Sequence, residues 1–129
     1  MADLSPDPER RARGLDVYRK VYGQDAPVFE SGEVEFFDSM LANLFGEVWG
    51  RPGLSIPDRR LVIIGVLAAQ NRFEILGVQL LRALKDDELT PEQVREIIIQ
   101  LISYIGYSSS SDLYRVSETA IATYRAETK

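Results

Sequence analysis

Apolar residues recur at intervals of three and four positions along most of the chain, and this spacing predicts helices rather than strands. The first helix is predicted to begin at Asp7-Pro8, because aspartate caps free amides and proline fits the first helical position. It should end near Tyr22, where a glycine follows. A second amphipathic helix is predicted from Glu33 to the turn at residues 50–53. Its apolar positions are Phe36, Phe37, Met40, Leu41, Leu44, Phe45 and Val48.

The longest apolar run covers residues 61–69, and periodicity alone would also permit a buried strand there. Ser55 and Asp58 resemble a capping box, and together with the alanines and the length they favour a helix. A helix that is apolar all round is predicted to be central. Gly65 costs helix propensity in its middle, so we interpret it as a close contact with another helix.

Two amphipathic segments and a final helix complete the pattern. The first segment runs from Arg72 to about Lys85. The second follows Thr90-Pro91-Glu92-Gln93, which combines a capping box with a proline at the first helical position. That start signal predicts a helix up to Gly106 although the segment is rich in β-branched residues. The last helix is predicted over residues 112–126.

The chain is therefore predicted to be all-α, with five to six helices in one domain over residues 1–129, because no linker-like stretch divides it. The helices around Ile63 and Ile98 are apolar on more faces than one small bundle can cover. We expect a homo-oligomer to cover the excess.

The charge balance is acidic, with a net charge of −5 and a pI near 4.8, and it argues against a nucleic-acid partner. The N-terminal residues are polar and acidic, unlike a signal peptide. The longest apolar run is far shorter than the roughly 20 residues that span a bilayer. We therefore expect a cytoplasmic protein without a membrane partner.

The sequence contains neither cysteine nor histidine. Thiol chemistry, disulfides and imidazole catalysis are thereby excluded, so any reaction must use carboxylates, tyrosines, lysines, hydroxyls or water. No group of acidic residues has the spacing of a calcium loop or another oxygen-ligand metal site. We expect no metal and no cofactor.

Several motifs are distributed over nearly the whole chain. They are the block Phe45-Gly46-Glu47-Val48-Trp49-Gly50-Arg51-Pro52-Gly53-Leu54, then Asp58-Arg59, Arg82-Ala83-Leu84, Leu89-Thr90, Val94-Arg95-Glu96-Ile97 and Tyr104-x-Gly106-Tyr107. Together they resemble the carboxymuconolactone decarboxylase family, and most closely its γ-carboxymuconolactone decarboxylase branch. The resemblance implies an alkylhydroperoxidase-like helical fold that assembles as a trimeric or hexameric ring with sites near subunit contacts.

The resemblance also implies a cofactor-free decarboxylation of a carboxylated lactone from aromatic catabolism. Loss of carbon dioxide leaves a dienolate-like carbanion, so the site needs a cation for the carboxylate, a group near the lactone oxygen and an acid. Where that branch has two histidines, this chain has Gln79 and Gln100, which keep hydrogen bonding but cannot exchange a proton at neutral pH. Because cysteine is also absent, the thiol peroxidase chemistry of the wider family is excluded.

Glu47, Trp49 and Arg51 are the first site candidates. Arg51 could hold a carboxylate with its planar fork, or it could form a salt bridge with Glu47. Glu47 could be a buried acid kept protonated by its apolar neighbours, or a solvated carboxylate at a helix end. Trp49 could stack on a ring-shaped substrate, although a role in the core or an interface is the more common one.

The remaining candidates lie further along the chain. Gln79 and Gln100 could hydrogen-bond a lactone or enolate oxygen. Glu74 could share the pocket mouth or lie on the surface, and Tyr104 and Tyr107 could donate to an oxyanion or simply pack. We hypothesise a carboxy-lyase-like enzyme that acts on a small carboxylated lactone or ring compound. The alternatives are a non-catalytic member that binds an aromatic or polyketide-like ligand, and an oligomeric scaffold.

Overall fold

A computed structural model describes residues 7–128 of the chain. These residues form six α-helices, one π-helix and a short 3₁₀ turn, and they contain no strand. The α-helices are α1 (Pro8–Tyr22), α2 (Glu35–Ser39), α3 (Ile56–Ala69), α4 (Phe73–Lys85), α5 (Pro91–Ile105) and α6 (Ser110–Glu127). The all-α prediction is confirmed. Most of the polar N-terminal stretch lies outside the described residues.

The described residues form two compact units, which divide between Ile56 and Pro57. The first unit contains α1, α2 and the π-helix, and the second contains the remaining helices apart from the first residue of α3. The arrangement as one domain over the whole chain stays a prediction. Among the helices of residues 7–128, none is both long and apolar enough to cross a bilayer.

Helix α1 begins and ends at the predicted residues. The side chain of Asp7 accepts a hydrogen bond from the amide of Glu9 at 2.9 Å, and Pro8 occupies the first helical position. At the other end the amide of Gly23 donates to the carbonyl of Arg19 at 2.8 Å. Gly23 has φ = 104°, a left-handed value that glycine adopts readily.

The second predicted helix differs from the expected regular α-helix. It is α-helical only over α2 and continues as a π-helix over Met40–Trp49, where the amide of Gly50 bonds to the carbonyl of Phe45, five residues earlier. The wider turns place residues four apart on one buried face, namely Phe37, Leu41, Phe45 and Trp49. Phe36, Leu44 and Val48, which an α-helical period would turn inward, are exposed instead.

Helix α1 packs against the π-helix, and glycine makes this contact possible. A Cβ atom on Gly14 would lie 1.7 Å from the carbonyl oxygen of Leu41, so only glycine fits there. Tyr18 packs edge-on against Phe37 and Phe45, with ring centroids 5.5 Å and 5.3 Å away. The core of the first unit is therefore largely aromatic.

The second unit confirms the strongest start signal in the sequence. The amide of Gln93 donates to the hydroxyl of Thr90 at 3.1 Å, and the amide of Thr90 donates to the side-chain oxygen of Gln93 at 2.9 Å. Helix α6 begins at Ser110, two residues before the predicted start, after a 3₁₀ turn over Tyr107–Ser109. Helices α4 and α5 both pack on α6. The buried core residues are Ile64, Ala68, Leu76, Leu80, Leu84, Val94, Ile98, Leu113, Ala120 and Ile121.

Two predictions about α3 are corrected. The helix is not buried all round: Leu61, Val62 and Val66 are exposed, and the buried stripe has a period of four, comprising Arg60, Ile64 and Ala68. Gly65 is not a close contact, because a Cβ atom there would meet Leu101 at an ordinary 3.8 Å. Part of the apolar surface of α3 is therefore exposed to solvent.

Candidate functional site

A buried arginine on α3 is the centre of a polar network in the second unit. Arg60 is 1% exposed. Its Nε and Nη2 atoms donate to the two carboxylate oxygens of Glu88 at 2.7 Å and 3.1 Å. Its Nη1 atom donates to Oε1 of Gln79 at 2.7 Å. The guanidinium therefore holds a carboxylate along one edge and an amide oxygen at the remaining corner.

Helix packing places each member of the network. Arg60 lies one turn before Ile64 on the buried stripe of α3, and Gln79 lies on the buried face of α4 beside Leu80. Glu88 belongs to the turn between α4 and α5. Its amide bonds to the carbonyl of Ala83 at 2.9 Å, which holds the turn against the end of α4.

Burial explains why these three side chains must be together. A guanidinium removed from water is strongly destabilising unless a carboxylate and further acceptors satisfy it. Arginine has only donors, so the atom of Gln79 that faces Arg60 must be the amide oxygen.

Glu47 lies in a different environment from the one that a buried acid requires. Its side chain is 52% exposed and forms an ion pair with Arg10 of α1 at 2.6 Å. The structure therefore agrees with a solvated carboxylate at a helix end and not with a side chain buried in an apolar pocket. Arg51 is exposed just beyond the π-helix.

Trp49 is buried at the end of the π-helix. Its ring stacks on that of Phe45, with centroids 6.2 Å apart and an angle of 22° between the planes. Phe45 in turn packs against Tyr18 and Tyr22 of α1. Trp49 is thus part of the aromatic core of the first unit, as the more common role of tryptophan suggested.

The other predicted residues of the second unit lie on its surface. Glu74 and Gln100 are exposed, and Tyr104 is 83% exposed. Tyr107, also exposed, lines an open groove of about 480 Å³ between α5 and α6 together with Ile99 and other residues. Of the two glutamines that stand where the resemblance implies histidines, Gln79 is buried and Gln100 is exposed.

A second groove on the same α5–α6 face contains an ion pair. It has a volume of about 400 Å³ and is lined by Arg95, Ile98, Ile99, Tyr114, Ser117 and Glu118. Arg95 binds both carboxylate oxygens of Glu118, at 3.0 Å and 2.9 Å. The hydrogen bond from Arg95 lowers the pKa of Glu118 below its usual range. The pair is therefore ionised at neutral pH.

The sequence marks Arg60 as an ion-pair donor, because it stands at the start of an apolar helix, but it does not identify the acceptor. The available signal was an arginine that begins an apolar helix, because such a residue needs a carboxylate if it is buried. The partner, Glu88, lies 28 positions away among three consecutive acidic residues, and spacing does not distinguish it from Asp86 or Asp87. Within residues 7–128 no group of three or more acidic side chains could hold a metal ion.

Comparison with known proteins identifies the family. The sequence model of the carboxymuconolactone decarboxylase family matches residues 35–119, from α2 into α6. The chain is also 31% identical over 117 residues to a 4-carboxymuconolactone decarboxylase from Acinetobacter baylyi, a match that covers 87% of each chain. No solved structure matches the chain significantly. The family match and this relative together show that the chain belongs to the carboxymuconolactone decarboxylase family.

Proposed function

We propose that the protein is a carboxy-lyase-like enzyme that acts without a cofactor on a small carboxylated lactone or ring compound. The observation that carries the proposal is the similarity to a 4-carboxymuconolactone decarboxylase over 87% of both chains. The chemistry requires a cation for the carboxylate, a donor for the developing enolate and an acid for the final protonation.

Residues of the chain can be assigned to these requirements. Arg51 is the predicted carboxylate-binding group, and its exposed position would allow a ligand to reach it. Glu47, solvated and ion-paired, could pass a proton from water to the carbanion. Gln79 and Gln100 would donate hydrogen bonds from their side-chain amides to substrate oxygens.

The test is decarboxylation of carboxymuconolactone by the purified protein, followed as carbon dioxide release and as loss of substrate. We expect turnover that Arg51→Ala reduces mainly through a higher KM, because Arg51 would contribute ground-state binding. Arg13→Ala, an exposed arginine on α1, is the matched control and should leave the rate unchanged. If neither the wild type nor Gln79→His releases carbon dioxide, the proposal is wrong for this substrate.

A ligand-binding protein without turnover is the second candidate function. The resemblance places a histidine at the position of Gln79. The side-chain oxygen of Gln79 instead accepts an internal hydrogen bond from Arg60, and this contact favours the second candidate. Such a protein would bind aromatic or polyketide-like carboxylates and release them unchanged. Equilibrium binding in the absence of any product would support this candidate over the first.

We also propose that the chain forms a homo-oligomeric ring in the cytoplasm. The exposed apolar side chains of α3, Leu61, Val62 and Val66, support assembly because contiguous apolar surface is typical of subunit contacts. Light scattering after size exclusion would give the subunit number. A protein that stays monomeric over the concentration range of the assay would contradict this proposal.

A further inference from the structure

We infer that Arg60 is a carboxylate-binding group whose site Glu88 fills in the absence of a ligand. The ligand would be a small molecule with an exposed carboxylate, which takes the place of the Glu88 side chain on the guanidinium. This inference rests on the proposed function, since it assigns a substrate-binding residue to it. Its test measures binding alone, so the two proposals can fail separately.

The first argument is the geometry of the ion pair. Arg60 presents Nε and Nη2 side by side, and both oxygens of Glu88 accept from them. This paired arrangement is the one that arginine uses to recognise carboxylate ligands. A ligand carboxylate at the same place would make the same two hydrogen bonds, so the exchange would leave the guanidinium satisfied.

The second argument is that the site stays organised when Glu88 leaves. The third corner of the guanidinium donates to Gln79, whose side chain is fixed on the buried face of α4. That contact would hold the plane and direction of the guanidinium during the exchange. A pre-oriented fork loses less entropy on binding than a mobile surface arginine does.

The third argument concerns the mobility of the two partners. Arg60 belongs to a helix and its side chain is 1% exposed, whereas Glu88 belongs to a turn and its side chain is 10% exposed. Of the two side chains, that of Glu88 therefore has the larger exposed fraction. Moving this side chain outward requires rotation about side-chain bonds and adjustment of a turn, but no unfolding of a helix.

The fourth argument is the contrast with the acidic residue two positions earlier in the chain. Asp86 pairs with Arg82, one turn earlier on α4, in a partly exposed contact of 2.8 Å. Lys85 is likewise engaged outside the network, with Glu127. Glu88 alone among these residues reaches the buried guanidinium. Removing Glu88 therefore vacates the site without disturbing the surface pairs beside it.

The test uses the full chain with Glu88→Ala and sodium acetate as the probe, against sodium chloride at matched ionic strength up to about 0.2 M. We expect acetate to raise the midpoint of thermal unfolding of this variant in a saturable way, because acetate replaces the lost carboxylate. The wild type should respond about tenfold more weakly or not at all, since the tethered Glu88 competes.

Two controls identify the residue responsible. Asp86→Ala removes a carboxylate from the same turn and should respond to acetate no more than the wild type does. Arg60→Met combined with Glu88→Ala removes both charges, a change that buried pairs tolerate better than loss of one partner, and it should abolish the acetate response. If the double variant still responds to acetate, the binding group is not Arg60 and the inference is wrong.

Glu88→Ala alone could unfold, because it leaves a buried guanidinium without its carboxylate. In that case refolding is followed by circular dichroism in acetate and in chloride. Recovery of helical signal in acetate only supports the inference. A variant that is folded but unresponsive to acetate, or unfolded in both salts, overturns it and leaves the pair as a purely structural contact.

Discussion

The contact between Arg60 and Gln79 predicts the behaviour of a histidine placed at position 79. In the Gln79→His variant an imidazole nitrogen would take the place of the amide oxygen, 2.7 Å from the guanidinium nitrogen. A neutral imidazole can accept that hydrogen bond, but a protonated one cannot. The positive charge of Arg60 should therefore lower the pKa of the introduced imidazole.

The magnitude follows from the distance. Two positive charges about 4 Å apart repel by about 4 kcal/mol at an effective dielectric constant near 20, which corresponds to about 3 pKa units. The carboxylate of Glu88 lies on the other edge of the same guanidinium and should offset roughly half of this repulsion. We expect a pKa near 5 for the introduced imidazole, against about 6.5 for an unperturbed histidine.

The assay is an NMR titration of the imidazole proton resonances, which the absence of any other histidine makes unambiguous. Gln100→His is the matched control, because that side chain is exposed on α5 and should titrate near 6.5. The folded pKa of Gln79→His is lowered, so the stability of this variant should fall as the pH drops below about 6.5. A pKa at or above that of the control would refute the role assigned to Arg60.

Four further substitutions test the packing and the ionised groups. Gly14→Ala should lower the free energy of unfolding by about 3 kcal/mol, because the new Cβ atom would lie 1.7 Å from the backbone of Leu41. Gly65→Ala should raise the free energy of unfolding by about 1 kcal/mol, because there is room for the Cβ atom and alanine has the higher helix propensity. Chemical denaturation measures both changes. Asp38→Asn should make unfolding less pH-dependent below about pH 4. The hydrogen bond from Arg11 holds the pKa of Asp38 below its usual value, so this stabilisation is present above that pH and is lost as the pH falls. Tyr18→Phe should lower the free energy of unfolding by about 1 kcal/mol, because it removes the hydrogen bond to the carbonyl of Pro27. Burial raises the pKa of the Tyr18 phenol, so the wild type should lose stability above about pH 10 and the variant should lack this loss. Chemical denaturation of both proteins at pH 8 and at pH 11 measures the two effects.

The local signals in the sequence predicted the α-helix boundaries well. Asp7, Thr90 and Gln93 act through atoms only two or three residues away, and all three make the predicted capping bonds. The π-helix was not predicted because an apolar residue stands next to each of its later buried positions. An α-helical period that buries Leu44 and Val48 therefore fits the sequence as well as one that buries Phe45 and Trp49. The choice between an α-helix and a π-helix decides whether Leu44 or Phe45 is buried, and this choice depends on how the segment packs against α1.

The polar network was harder to predict because it joins distant parts of the chain. Arg60, Gln79 and Glu88 lie on two helices and a turn, and nothing near each residue specifies its partners. The same limit applies to glycine: a glycine inside a helix suggests a close approach without saying whether one exists. A Cβ atom on Gly14 would clash with the backbone of Leu41, whereas one on Gly65 would make an ordinary contact with Leu101. Such distinctions depend on tertiary contacts.

The position of Trp49 determines what fluorescence can measure in this protein. It is the only tryptophan of the sequence, and it is buried against Phe45 within the first compact unit. Its emission therefore reports the unfolding of that unit, whereas circular dichroism sums the helices of both units. Coincident transitions by the two probes would show that the units unfold together. An earlier fluorescence transition would show that the aromatic unit melts first, leaving the network around Arg60 folded.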